Sequence, residues 1–220
     1  MITLEQMLIS SVHLGHEVQK WNPKMSPYIY GERNGIHIID LLQTLICIKK
    51  VGNYLENSTK KGKKVLFICT KRQFTNIVQE CAINSNSYYV THRWLGGMLT
   101  NWTTIKECIN KLVILNKEEK EGIYNTLTKK ESLILKKRKN KLEKNLSGII
   151  GMEKIPDIVI IIGQAKEMNA VKECIKLNIP IISILDTNCD PSMTDFIIPA
   201  NDDSVSSVSL ILNAVSKFIN

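Results

Sequence analysis

The sequence predicts an α/β fold in which an open, doubly wound parallel sheet carries an inserted α-helical hairpin. From about residue 63 onward, short β-branched runs alternate with stretches whose apolar residues recur at helical spacing. This alternation indicates right-handed crossover units and a parallel sheet covered by helices. It is interrupted over residues 99–148, where two narrow apolar stripes lie on strongly charged helices. At 220 residues, the chain is long enough for one main core.

The region before the sheet has a different character. Helices are predicted from about residue 3 to 11 and from residue 40 to about 56. Between them, residues 12–39 form an irregular segment that contains several prolines and glycines. Within this segment, residues 28–30 and 36–38 flank a glycine-containing turn and predict a small β-hairpin.

The sheet itself should contain five strands. They are expected at residues 65–70, 87–91, 157–163, 180–185 and 196–198. The third run is almost entirely β-branched, so we expect it to be covered on both faces. Helices are expected over residues 73–83 and about 165–175, and a last helix should be capped by Asn201 or Asp202.

The predicted hairpin occupies residues 99–148, and the sheet domain comprises residues 1–98 and 149–220. The two helices of the hairpin should mainly bury each other, as in a coiled coil, and project from the sheet domain. Their apolar positions are Ile105, Ile109 and Leu112 on the first helix, and Leu127, Leu135, Leu142 and Leu146 on the second.

The chain is basic, and most of its surplus charge lies in the hairpin. Lys and Arg number 29 against 21 Asp and Glu, which gives a net charge of +8. Residues 129–144 hold eight basic and two acidic residues, with four cations in one helical turn at 136–139. A lysine-rich face is often only solvated. Because such clustering costs repulsion unless phosphates or acidic groups offset it, we favour contact with nucleic acid.

The most unusual stretch is HRWLGGMLTNW at residues 92–102. His92 and Arg93 follow a predicted strand, at the carboxyl edge of the sheet. The guanidinium of Arg93 suits two-point contact with phosphate. Gly96 and Gly97 permit a sharp turn and a close approach of the backbone to another surface.

Two tryptophans in this stretch leave two interpretations open. Trp94 can stack on a partner or fill a pocket. Alternatively, Trp94 and Trp102 wedge the base of the hairpin against the sheet, and the glycines serve only the turn. We assign Trp102 to packing and Arg93 to recognition, with Thr100 or Asn101 as the cap of the next helix.

A doubly wound sheet also allows an enzyme, because ligands bind beyond the carboxyl ends of its strands. The glycine-rich nucleotide loops, the nucleophile elbow and the zinc-protease motif are all missing from the sequence. The turn at residues 70–73 places Lys71 and Arg72 where a phosphate could bind. We favour the phosphate of an RNA backbone over that of a nucleotide as its ligand. We therefore expect no catalytic residue and no small-molecule substrate.

Metal binding and membrane insertion are not expected either. His13 and His16 are three residues apart, but no Cys-x-x-Cys pair supplies further ligands. His16 would need carboxylates from the distant aspartates Asp186, Asp190, Asp195, Asp202 and Asp203. We favour packing or hydrogen-bonding histidines, with no metal and no cofactor. The longest apolar runs fall far short of the roughly 20 residues that a membrane-spanning helix requires.

Several motifs together resemble the bacterial-type ribosomal protein S2 family. They are HRWLGGMLTNW, HLGHEVQKWNPKMSPYIYGERNGIHIIDL at 13–41, VLFICTKRQ at 65–73, KIPDIVIII at 154–162, DTNCDP at 186–191 and IPANDDS at 198–204. The resemblance implies a flavodoxin-like sheet with an inserted helical hairpin. It also implies a non-catalytic structural protein of the small ribosomal subunit that binds ribosomal RNA and neighbouring small-subunit proteins.

The resemblance directs attention to the exposed cations. We expect RNA contacts from Lys20, Trp21, Lys24, Arg33, Lys71, Arg72, His92, Arg93, Lys136, Lys137, Arg138 and Lys139. The DTNCDP and IPANDD forms are similar to the plastid and cyanobacterial branch, which suggests a plastid (chloroplast) ribosome, with a bacterial cytoplasm as the alternative. The alternative function is a nucleotide-binding enzyme with a flavodoxin-like sheet.

Overall fold

The structure, a computed structural model, describes residues 2–122, 124 and 128–219. Its first part consists of helix α1 (Leu4–Ile9), strands β1 (Leu14–Glu17), β2 (Ile29–Arg33) and β3 (Ile36–Ile39), and helix α2 (Leu41–Thr59). The three strands form a small antiparallel sheet in the order β1-β3-β2. The hairpin predicted between β2 and β3 is therefore present, whereas β1 was not predicted.

The turn of this hairpin explains its sequence. Asn34 and Gly35 have φ values of 54° and 76°. A two-residue hairpin turn with positive φ at both positions favours Asn-Gly, because its twist matches that of the strands. Helix α2 begins directly after β3, with the Asp40 carboxylate accepting a hydrogen bond from the Leu42 amide at 2.9 Å.

The main sheet has five parallel strands, as the sequence predicts. They are β4 (Val65–Ile68), β5 (Tyr88–Val90), β6 (Ile158–Ile162), β7 (Ile181–Leu185) and β8 (Phe196–Pro199), in the order β5-β4-β6-β7-β8. From β4 the chain first adds β5 on one side and later β6 on the other. The order therefore reverses between β4 and β6, and the segments that follow these two strands diverge at the carboxyl edge.

Helices cover both faces of this sheet, which confirms the predicted α/β architecture. The remaining helices are α3 (Thr75–Asn84), α4 (Trp102–Lys120), α5 (Lys129–Leu146), α6 (Met168–Lys176) and α7 (Val205–Ser216). Helices α2, α3 and α7 share one core with Val65 and Phe67 of β4. Helices α4 and α6 share the other with Leu66 and Ile68. Alternate side chains of one strand thus enter opposite cores.

The base of the predicted helical hairpin is part of the second core. Ile105, Ile109 and Leu112 of α4 are buried with Leu146 of α5 and with residues of the sheet. The arms therefore do not bury only each other. Leu135 and Leu142 are half-buried, while Leu127 lies outside the described residues. The division into two domains and the projection of the hairpin stay predictions.

The predicted cap of the last helix was wrong. Helix α7 begins after Ser204, and the Asn201 side chain instead accepts hydrogen bonds from the amides of Asp203 and Ser204, at 2.9 and 3.1 Å. Asp202 is engaged with a buried lysine described below. Among the helices of the described ranges, none is long and apolar enough to cross a membrane.

Candidate nucleic-acid interface

The loop that carries HRWLGGMLTNW wraps around one carboxylate, that of Glu173 on α6. Its Oε1 accepts hydrogen bonds from the Trp94 indole at 3.0 Å and from the Gly97 amide at 2.9 Å. Its Oε2 accepts from the amides of Leu99 and Thr100, at 2.9 and 3.1 Å, and from the Thr100 hydroxyl at 3.2 Å. Partial burial would raise the pKa of Glu173, but these donors outweigh it and lower that pKa.

The rest of the loop is fixed by packing and by one glycine. The Trp94 ring is buried in the second core, and the half-buried Trp102 lies at the start of α4 with its indole 3.4 Å from the Glu153 carbonyl. Gly97 has a φ of 81°, a conformation that side chains strain. Gly96 is exposed, and a Cβ there would meet nothing within 4 Å. The turn thus requires glycine at Gly97 only.

Cations from two other parts of the chain act electrostatically on His92, at the start of this loop. His92 is half-buried, and burial, Lys144 and Arg72 together lower its pKa, in that order of importance. Lys144 lies in the last turn of α5, and Arg72 lies in the turn after β4. Arg72, Arg93 and Lys144 are exposed, and none of them pairs with a carboxylate among the described residues. This concentration of unneutralised positive charge favours an anionic partner.

Lys71, the neighbour of Arg72, has a structural position instead. Its side chain is buried, and its ammonium donates hydrogen bonds to Asp202 Oδ1 at 2.7 Å and to Asp203 Oδ1 at 2.9 Å. The Lys71 side chain passes over Gly163, where a Cβ would come within 2.8 Å of it. The sequence pattern predicts an RNA contact for Lys71, but these two carboxylates already neutralise its charge.

The basic cluster of the hairpin divides in the same way. Lys136, Lys137 and Arg138 are exposed and have no acidic partner among the residues described. Lys139 is turned toward α4, where it forms an ion pair with Glu119. That pair lowers the pKa of Glu119 and raises that of Lys139. Lys139 therefore joins the two arms of the hairpin.

The cations of the N-terminal segment are largely paired. Lys24 Nζ lies 2.7 Å from Asp190 Oδ2, and it holds the pKa of Asp190 down at about 2. Lys20 Nζ lies 3.0 Å from Glu17 Oε2 on the surface. The half-buried Trp21 packs against the His37 ring, with centroids 5.0 Å apart.

Arg33, at the end of β2, is exposed. It forms no ion pair within the described ranges.

The fold also brings His16 to the aspartates that follow β7 and β8. His16 Nδ1 lies 3.0 Å from Asp186 Oδ2, and Nε2 lies 3.4 Å from Asp203 Oδ2. The hydrogen bond to Asp186 is the main cause of a raised pKa of His16. One ligand atom each from His16, Asp186 and Asp202 lie within 4.8 Å of one another, so these are the residues that could hold a cation. Asp202 is already paired with Lys71, and Asp190 and Asp195 lie in other contacts.

Comparison with known proteins places these features in a family. The family model for ribosomal protein S2 matches residues 7–220. Small ribosomal subunit protein uS2c of Euglena gracilis is 61% identical over 220 residues, which cover 100% of this chain and 91% of that protein. The uS2c protein of Trieres chinensis is 53% identical over 219 residues, covering 100% and 96%. The uS2 protein of Nostoc punctiforme is 50% identical over 218 residues, covering 99% and 83%. The chain therefore belongs to the ribosomal protein S2 family.

Proposed function

We propose that this chain is a structural, non-catalytic constituent of the small ribosomal subunit and binds ribosomal RNA through one cationic face. The observation that carries the RNA contact is a set of exposed cations that form no ion pair among the described residues, at the sheet edge and on α5: Arg72, Arg93, Lys136, Lys137, Arg138 and Lys144. The names of the relatives support assembly with the small subunit, and the uS2c proteins support a plastid ribosome. Much of the remaining surface would contact other small-subunit proteins.

The cationic face combines the sheet edge with the outer side of α5. Lys137, Lys141 and Lys144 are spaced four and three residues apart, so they share one side of that helix over about 10 Å. Lys144 at the base and Arg72 at the sheet edge both lower the pKa of His92 through their positive charge, after its partial burial. We define the cationic face as Arg72, His92, Arg93, Lys136, Lys137, Arg138, Lys141 and Lys144.

We also propose that four residues of the N-terminal segment contact RNA, more weakly than the cationic face does. Glu17 offsets the charge of Lys20 and Asp190 that of Lys24, whereas Arg33 forms no ion pair in the described ranges. These residues are Lys20, Trp21, Lys24 and Arg33. Lys71 and Lys139 are left out, because buried or interhelical carboxylates already hold them.

The alternative of a nucleotide-binding enzyme has no support. A ribosomal protein family is not a family of enzymes, and the relatives carry ribosomal names. A cavity of about 520 Å³ does lie over residues 70–73, but the ammonium of Lys71 at its wall is already bound to Asp203. Of the two cations in this turn, Lys71 is therefore already neutralised, and only Arg72 remains unpaired within the described residues.

Salt-dependent binding of the protein to small-subunit ribosomal RNA tests the cationic face. In the variant R72A/R93A/K144A, we expect weaker binding and a slope of log K against log salt that is shallower by about 2–3, because each of the three phosphate contacts contributes roughly 0.7–0.9. The control K49A/K50A/K61A removes the same charge from exposed positions on and just after α2. Equal slopes for the two variants would refute the RNA contact.

A further inference from the structure

Glu173 is an acidic group close to the cationic face, yet its carboxylate binds no cation among the described residues. All five groups that bind it come from residues 94–100 of the loop, and three of them are backbone amides. The family resemblance and the charge pattern both point to the cations of this loop. Neither accounts for the carboxylate at its centre.

The carboxylate is held on a rigid support. On α6, Ala170, Val171 and Cys174 are completely buried against the sheet. Glu173 therefore projects from a fixed helix toward a loop whose Trp94 ring is buried in the same core, whereas Gly97 and Thr100 are not buried. Leu99 and Met98 are buried in the same core, and Gly97 takes the left-handed conformation that brings its amide toward Oε1.

The positions of the donors connect Glu173 to both ends of the loop. Trp94 follows Arg93 directly, so the bond to the indole fixes the backbone next to that guanidinium. Thr100 lies two residues before α4, so the bonds to its amide and hydroxyl fix the start of that helix. One side chain thus links the recognition residues to the base of the hairpin.

We propose that Glu173 is a positioning residue: its carboxylate organises the 94–100 loop so that Arg93 and the hairpin present their cations to RNA in one orientation. This inference rests on the proposed function. Without the carboxylate, three backbone amides lose a charged acceptor, and each such bond stabilises the arrangement substantially. The loop would then sample other conformations, and RNA would bind only the fraction that retains the ordered one.

The test compares E173Q with the control E107Q, in which an exposed carboxylate of α4 is replaced in the same way. The Glu107 side chain forms no hydrogen bond or ion pair in the described part of the chain. E173Q keeps the volume but places an N–H group against N–H donors. We expect hydrogen exchange at the amides of Gly97, Leu99 and Thr100 to accelerate about 10-fold or more relative to wild type, and RNA affinity to fall by a similar factor. E107Q should change neither.

The pH profile separates positioning by charge from simple packing. In the wild type, protection of the three amides, corrected for intrinsic exchange, should fall in acid as Glu173 is protonated. In E173Q this acid-dependent step should be absent. If E173Q does not fold, the wild-type profile alone still decides, because unchanged protection through the titration of Glu173 would overturn the inference.

The outcomes also distinguish this inference from the proposed function. If R93A weakens RNA binding but E173Q leaves both amide exchange and affinity unchanged, Glu173 has no positioning role and the cationic face stands. If neither R93A nor R72A/R93A/K144A changes binding, the proposed function fails. Slower amide exchange in E173Q than in wild type would also contradict the inference.

Discussion

Replacing Lys71 with methionine should destabilise the fold without weakening RNA binding by the folded protein. The ammonium of Lys71 lies 2.7 Å from Asp202 Oδ1, 2.7 Å from the Asp202 carbonyl and 2.9 Å from Asp203 Oδ1. Methionine retains most of the apolar stem of Lys71 and lacks only its ammonium, which lies 5.9 Å from the centroid of the Phe74 ring. K71M therefore removes the charge and the hydrogen bonds while keeping most of the volume.

The size of the effect follows from the burial of the two carboxylates. The Asp202 side chain is only 4% exposed, whereas that of Asp203 is 61% exposed and can be rehydrated. Only Asp202 is left as an uncompensated buried charge. Breaking a buried pair in this way costs about 3–5 kcal/mol, and partial hydration favours the lower end. About 3 kcal/mol corresponds to a fall in Tm of roughly 6–12 °C for a chain of this size.

The pH dependence of this loss has a definite sign. Burial already raises the pKa of Asp202 against the attraction of Lys71, and removal of Lys71 raises it further. A carboxyl whose folded pKa is raised destabilises the protein above that pKa and ceases to do so once protonated. The stability difference between wild type and K71M should therefore shrink as the pH is lowered through the pKa of Asp202.

Urea denaturation and RNA binding measured in parallel check the prediction, with R72M as the matched control. Arg72 is the next residue, is exposed, and forms no ion pair in the described ranges. We expect K71M to lose stability and retain affinity, and R72M to retain stability and lose affinity. The reverse pattern, or a K71M protein within about 0.5 kcal/mol of wild type, would refute the structural role of Lys71.

Three further predictions concern packing, acid stability and thiol reactivity. G148A should lower stability by about 2 kcal/mol in urea denaturation, because its methyl group would lie 2.1 Å from the Tyr89 carbonyl oxygen. The control G96A should match wild type, and equal denaturation midpoints for the two variants would contradict the prediction. Lys24 lowers the pKa of Asp190 to about 2, so the contribution of Asp190 is complete above its ordinary pKa and is lost as pH falls toward 2. D190N should flatten the stability profile in that range, and an unchanged profile would argue against the pair. Burial raises the pKa of the Cys69, Cys174 and Cys189 thiols to about 12. Iodoacetamide should therefore modify these cysteines far more slowly in the native protein than in urea. Equal rates would contradict their burial.

The main sheet could be predicted because its strands are short and buried. Every residue of β6 and β7 is buried, and such strands appear in sequence as continuous β-branched runs. Strand β1 was missed because Leu14–Glu17 has no such run and is half-exposed. Its pairing depends on β3, which lies some twenty residues further along the chain.

The candidate interface could be predicted only in part. Lys71 and Arg72 are adjacent cations, and the sequence gives no sign that one enters the protein while the other faces solvent. That difference depends on Asp202 and Asp203, about 130 residues away. Lys139 was assigned to RNA for the same reason, because its partner Glu119 belongs to the other arm of the hairpin.

Glu173 was missed altogether. It lies between buried Val171 and Cys174 on α6, where a single charge looks like an ordinary helix surface residue. Its partners are mostly backbone amides of a loop more than 70 residues away, and backbone amides carry no sequence signature. The paired glycines of that loop were the only signal, and they indicated a turn without indicating what the turn encloses.

Residue-resolved protein–RNA crosslinking of assembled small ribosomal subunits would identify the side chains that contact ribosomal RNA. We expect crosslinks at Arg72, Arg93 and the outer side of α5 from Lys136 to Lys144, and none at the buried Lys71. Crosslinks confined to other surfaces, with these positions contacting only protein or solvent, would contradict the proposed RNA contact.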